Sequence, residues 1–351
     1  MLENIIDAPV ERSANTSRAV LVEIKALHEF SRLVRTLGTG RWIFRGHGDK
    51  DWKLASSLER HLVRNGCNST SKIVQNAINA SKYDNYRASD EMYAIDLFKR
   101  HARTKLPNLE YLVEWLAAMQ HYGTSTRLLD FTRSIYVALY FALEDRLKKT
   151  DAAIYAIHYP DLLYSKTLRD DLVLQQEQLF SSVGYHASKG IDDREKQSIK
   201  EFVKYNFHVN RKELQDSLIK LAHRCIEKRD RKIGIIPVNV PGVNERLIAQ
   251  AGLFLMPRTF TSFSASLSKS LAISEEEIAA PKHMFDMSRY PANKSQLENA
   301  TLIKIVIPRS LDGALLNMLS QANVSALNLF PGLEGIAKSI KYSDSLYDTR
   351  R

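Results

Sequence analysis

Apolar residues along this chain fall into two kinds of pattern. Some recur at helical spacing, as at Leu27, Phe30, Leu33 and Val34 within Ala26–Leu37, and predict an amphipathic helix that Gly38 and Gly40 stop. Others form short apolar runs at Val20–Ile24, Trp42–Phe44, Ala152–Ile157, Ile233–Val240, Leu253–Met256 and Thr301–Ile307, and predict strands. Ser134–Leu147 is apolar nearly all round, which marks a buried helix. Further helices are expected over Ser56–Arg64, 73–118 with a break near Pro107, Ser310–Ala322 and Gly332–Ile340. Residues 65–72 read as a polar loop and Gln120–Thr132 as a turn-rich segment that follows the apolar face of Leu109–Met119.

Strands scattered between helical segments predict an α+β domain with a central mixed sheet of short strands assembled from distant parts of the chain. The expected domain covers residues 19–340, after a loose, unpatterned segment at 1–18 and before a C-terminal tail at 341–351. Residues 160–231 are mostly helical and charged and read as an insertion in it.

Composition narrows the function classes. With 44% hydrophobic and 26% charged residues, the chain is not expected to be largely disordered or fibrous. Its 351 residues bury a sizeable core without a disulfide or metal staple. Two cysteines, Cys67 and Cys225, with no C-x-x-C pair, exclude a cysteine-based zinc site, and no metal is expected. The start lacks a basic region followed by an apolar run, and no apolar stretch approaches about 18 residues, so no membrane partner and a cytoplasmic location are expected. Lys and Arg outnumber Asp and Glu by 50 to 40, which favours polyanionic partners. Between Lys189 and Lys232 there are 13 basic and 8 acidic side chains. Two readings of that stretch stand, a solvated helical hairpin or a nucleic-acid face.

Three segments carry candidate chemistry. In Trp42-Ile43-Phe44-Arg45-Gly46 an apolar strand ends in Arg45, whose planar fork suits phosphate or carboxylate. Gly46 beside it admits close approach of a ligand to the backbone. In Gln120–Thr132, His121 is suited to carry a proton near neutral pH, and Thr124, Ser125 and Thr126 to donate to phosphate or ribose oxygens. Arg127 and Asp130 stand three apart, as a ligand-binding pair or as an ion pair with each other. In Asn244–Phe254, Glu245, Arg246 and Gln250 lead into a strand through Gly252. No phosphate loop of the G-x-x-x-x-G-K-[ST] type, dinucleotide fingerprint, nucleophile elbow or H-E-x-x-H is present.

These segments, in this order, resemble the FRG domain family, named for its Phe-Arg-Gly motif, here Phe44-Arg45-Gly46. Trp52-Lys53-Leu54, Ser57-Leu58-Glu59-Arg60, Gln120-His121-Tyr122-Gly123 and Thr126-Arg127-Leu128-Leu129-Asp130-Phe131-Thr132 extend the likeness. So do Arg246, Gln250-Ala251-Gly252-Leu253-Phe254 and Phe330-Pro331-Gly332-Leu333. The family is largely uncharacterised and occurs in bacteria and phages, in settings that imply defence or toxin roles. An aromatic-Arg-Gly at a strand end is also similar to the opening of mono-ADP-ribosyltransferase sites, although the Glu-x-Glu or Gln-x-Glu pair of those enzymes is missing here.

The likeness implies an intracellular effector enzyme with NAD or another nucleotide as substrate, one that transfers ADP-ribose to a macromolecule or cleaves the dinucleotide. Arg45 would hold the pyrophosphate. His121 and Tyr122 would line the nicotinamide or ribose pocket, with Gly123, Thr124, Thr126, Arg127, Asp130 and Arg246 around the ligand. Glu245 or Gln250 would orient the ribose. Two alternatives stand beside it: a non-catalytic nucleic-acid-binding module, and a metal-independent nuclease with His121 as general base.

Overall fold

All seven residues of Ala152–His158 are buried, which requires cover on both faces and places this strand inside a sheet. The computed structural model describes residues 18–38, 41–64, 81–144, 146, 150–163, 165–168, 170–172, 211–240 and 245–348. Its strands are β1 Ala19–Glu23, β2 Trp42–His47, β3 Leu129–Thr132, β4 Ala152–His158, β5 Ile235–Val238, β6 Gly252–Pro257, β7 His283–Phe285 and β8 Leu302–Ile307. They form one mixed sheet in the order β5-β6-β3-β2-β4-β8-β1-β7. β1 runs parallel to β7 and β8, and the remaining neighbours are antiparallel. The fold is α+β, with a sheet drawn from both ends of the chain.

The helices used below are α1 Leu27–Leu37, α2 Ser57–Arg64, α3 Ser81–Ala102, α4 Leu112–His121, α5 Ile135–Glu144, α6 Arg211–Glu227, α7 Glu245–Ala249, α8 Phe263–Leu271, α9 Asp312–Gln321, α10 Ala326–Leu329 and α11 Leu333–Asp348. Strand alternation sends Ile43 and Tyr155 to one face, where they join Trp115 and Leu116 of α4, Leu218 and Ala222 of α6, and Phe263 and Leu267 of α8. Phe44 and Ile154 go to the other face, against Phe30 and Leu33 of α1, Ala138 and Leu139 of α5, and Leu315 of α9.

Several expected elements shift. Arg45 and Gly46 do not follow β2 but lie inside it, opposite Tyr155 and Ile154 of β4. β3, expected as part of a turn-rich segment, is a strand of four residues, and β7, for which the sequence pattern predicted no element, is a strand of three. Runs that short carry little periodic signal and are fixed by their neighbours, β6 for the first and β1 for the second. The last helix continues past Ile340 to Asp348. The expected lead-in at 1–17, the loop at 65–72 and residues 173–210 of the expected insertion lie outside the described residues. Within that insertion, α6 buries Leu218, Ile219, Leu221, Ala222, Cys225 and Ile226, so the described part of the basic stretch is a core helix and not a fully solvated one.

Candidate functional site

β2 pairs with β4 along its whole length but meets β3 only at Phe44↔Thr132. Beyond that pair the two strands part, and the Arg45 guanidinium spans the gap, its Nη1 donating to the Asp130 carbonyl at 2.7 Å. A cleft of ≈ 270 Å³ opens in this split. Helices from both faces of the sheet wall it, with Gln120 and His121 at the end of α4 and Phe141 on α5. Arg246 of α7 and Gln250 just after it close a third side. Three segments far apart in sequence thus converge on Arg45, His121, Asp130, Arg246 and Gln250.

Arg45, Asp130, Arg246 and Gln250 are each held by a hydrogen bond or ion pair. Arg45 Nε donates to His47 Nε2 at 3.1 Å, and its Nη1 stands 4.0 Å from the Asp130 carboxylate. Gln120 Nε2 donates to Asp130 Oδ2 at 2.8 Å, and Gln120 Oε1 accepts from the Thr126 hydroxyl. Gln250 Nε2 donates to the Leu329 carbonyl at 3.0 Å, and the Gln250 carbonyl accepts from Thr132 Oγ1 at 2.7 Å. Arg246 lies 4.4 Å from the Phe330 ring centre and 3.4 Å from the Glu334 carboxylate. Partial burial first, and the Arg246 charge second, lower the pKa of His121 below the usual imidazole range. The ring is therefore neutral at pH 7, able to accept a proton.

A second cavity of ≈ 230 Å³ lies beyond the Gln120–Asp130 bond and is lined by Ser57 and Arg60 of α2 with Gly123, Thr124 and Ser125. Gly123 and Thr124 face this second cavity and not the first. Tyr122 lines neither cavity; it is exposed, with its ring against His121 and Phe98. Glu245, at the exposed start of α7, is also absent from both linings. Thr126 is buried and tied to Ser57, Gln120 and the Leu128 amide.

Arg127 pairs with neither Asp130 nor a ligand site. It is buried against Glu91 of α3, Nε to Oε1 at 2.8 Å, reaches the Pro257 and Arg258 carbonyls, and stacks 3.9 Å from the centre of the Phe260 ring. Removing one partner of a buried pair strands the other charge. Arg127→Met should therefore cost about 3 kcal/mol in a urea titration, while Arg127→Met with Glu91→Leu recovers most of it. Equal losses in the single and double variants would contradict this role.

Gly46 lines the cleft, and its missing side chain also serves packing. A Cβ there would lie 1.9 Å from the Ala138 carbonyl oxygen and 2.6 Å from the Ala142 nitrogen, both backbone atoms of α5. The missing side chain seats α5 on β2. Two contributors to the site escaped the residue-type reasoning. Gln120 sits in the quoted Gln-His-Tyr-Gly block but carries no titratable signal, and His47 reads as the end of a strand. Among the described residues no three His, Cys, Asp or Glu side chains form a group that could hold a metal ion, and no helix is long and apolar enough to cross a membrane.

The family model of the FRG domain matches residues 40–151. The chain thus carries an FRG domain across those residues, which supply Arg45, Gln120, His121 and Asp130 of the cleft, while Arg246 and Gln250 come from beyond them. No curated protein and no solved structure matches the chain.

Proposed function

We propose that the cleft between β2 and β3 binds NAD or a related nucleotide and that the protein is an enzyme acting on it. The observation that carries this reading is the convergence of Arg45, His121, Arg246 and Gln250 with one carboxylate, Asp130, in a single concave site. Its volume of ≈ 270 Å³ suits a nucleoside-sized group, leaving the rest of a dinucleotide over the open mouth. Arg45 binds a phosphate, because a guanidinium offers paired donors to two oxygens. Gln250 orients the ribose.

For NAD the chemistry is displacement at the ribose carbon that bears nicotinamide. The glycosidic bond breaks, its electron pair returns to the ring nitrogen, and nicotinamide leaves neutral. Neutral His121 takes the proton of the incoming water or macromolecular nucleophile. Asp130 faces the positive charge that develops on the ribose. Because the His121 pKa is lowered, activity should persist into mildly acid pH and fall only as the imidazole protonates.

Calorimetric titration of NAD, ADP-ribose and AMP, with nicotinamide release measured alongside, tests the reading. Arg45→Ala should weaken binding at least about tenfold by loss of charge-assisted hydrogen bonds. His121→Ala should bind but release no nicotinamide. A toxin-like role would appear as growth arrest on expression that Arg45→Ala relieves. No binding of any of the three ligands, or unchanged binding by Arg45→Ala, defeats the proposal. Cleavage of labelled RNA in chelator, lost in His121→Ala, would point to the nuclease instead.

A further inference from the structure

His47 stands two residues after Arg45 on β2, so both side chains project from the same face of the sheet. The Arg45 Nε that approaches His47 Nε2 at 3.1 Å carries a proton and no acceptor lone pair. Nε2 must therefore be the accepting nitrogen, and the ring proton sits on Nδ1. Nδ1 faces the Trp52 carbonyl at 3.3 Å and donates to it. The ring is 5% exposed and held edge-on by Tyr155 at 5.3 Å and Trp52 at 6.2 Å. One imidazole thus links the loop after β2 to the guanidinium at the split in the sheet.

We propose that His47 is a positioning residue, whose Nε2 lone pair fixes the orientation in which the Arg45 guanidinium faces the cleft. The assignment deepens the nucleotide reading and rests on it for the consequence on ligand affinity; the hold on Arg45 itself does not. The charged groups acting on His47 are Arg45 on its own strand, Arg60 on α2 and Lys304 on β8, with the Tyr155 ring packed against it from β4. All three charges are cationic and, with burial as the largest cause, they keep the ring neutral and accepting, its pKa lowered to about 3.

Two near-isosteric variants separate the two hydrogen bonds. His47→Gln can place its amide oxygen where Nε2 stood and keep the acceptor for Arg45. His47→Asn reaches only the Nδ1 position and keeps the Trp52 contact. In the ligand-free, ¹⁵N-arginine-labelled protein at pH 7, proton exchange at Arg45 Nε should be slow in the wild type and in His47→Gln. It should be about tenfold faster in His47→Asn, as expected for loss of one hydrogen bond. Affinity for ADP-ribose should fall about tenfold in His47→Asn and stay within about threefold in His47→Gln.

Equal exchange in the wild type and His47→Asn overturns the assignment. If His47→Asn does not fold, long-range ¹⁵N spectra of the wild-type ring decide: the Nδ1–H tautomer supports it and the Nε2–H tautomer overturns it. If exchange follows the expected order while ADP-ribose binds none of the proteins, the positioning role stands and the nucleotide reading fails.

Discussion

Gly46→Ala should unfold this protein or leave it severely destabilised, by about 4 kcal/mol or more. Adding a methyl group to a well-packed interior ordinarily costs about 1–3 kcal/mol, because neighbouring side chains turn aside. Here the obstacles are the Ala138 carbonyl at 1.9 Å and the Ala142 nitrogen at 2.6 Å, and neither can rotate away. α5 would have to lift from β2, opening the core around Phe44, Ala138 and Leu139. Gly252 provides the control. A Cβ there meets Leu247 Cδ1 at 2.6 Å, the far end of a flexible side chain, with backbone no nearer than 3.3 Å. Gly252→Ala should lower the urea midpoint far less. A Gly46→Ala midpoint equal to that of the wild type would show that the close seating of α5 is dispensable.

The second large effect is a loss of stability in mild acid. His47 protonates at about 3 in the folded protein, while an unfolded histidine does so near the usual 6.5. Between those values the unfolded chain binds a proton that the folded chain refuses. Stability from this group is therefore complete above about pH 6.5, declines as pH falls through the window, and stops declining below about 3. The full loss is about 5 kcal/mol, of which about 2 kcal/mol has gone by pH 5. For a domain whose total stability is about 5–15 kcal/mol, that is a large share. His121, also lowered, adds to it with the same sign. Urea titrations at pH 7 and pH 5 measure the slope, which should flatten in His47→Gln because an amide does not titrate. An unchanged slope would mean that His47 is not held neutral by the fold.

Both effects arise at the strand that carries the candidate site, and this is no coincidence of packing. β2 has α5 backbone against Gly46 on one face and His47 with its aromatic neighbours on the other. Arg45 is set between two fixed points, and the gap it spans is as wide as the divergence from β3 leaves it.

The amino-acid sequence by itself determined the class of fold, because apolar runs and helical stripes need only local periodicity. It also singled out Arg45, as a guanidinium at the end of an apolar run, and His121, Asp130, Arg246 and Gln250, as polar groups clustered beside apolar elements. Only the tertiary structure decided which of the nominated residues share a cavity. Arg127 and Asp130 stand three apart, yet one is buried against Glu91 of α3 and the other lines the cleft. That separation depends on β3, a strand of four residues formed through its pairing with β6. Pairing of this kind joins positions more than a hundred residues apart, and nothing in the local pattern encodes it. The same holds for Gly46 and His47, whose roles are set by atoms of α5 and the Trp52 loop. A residue's type states what chemistry it can do, and the partners brought to it by folding select which of those it performs.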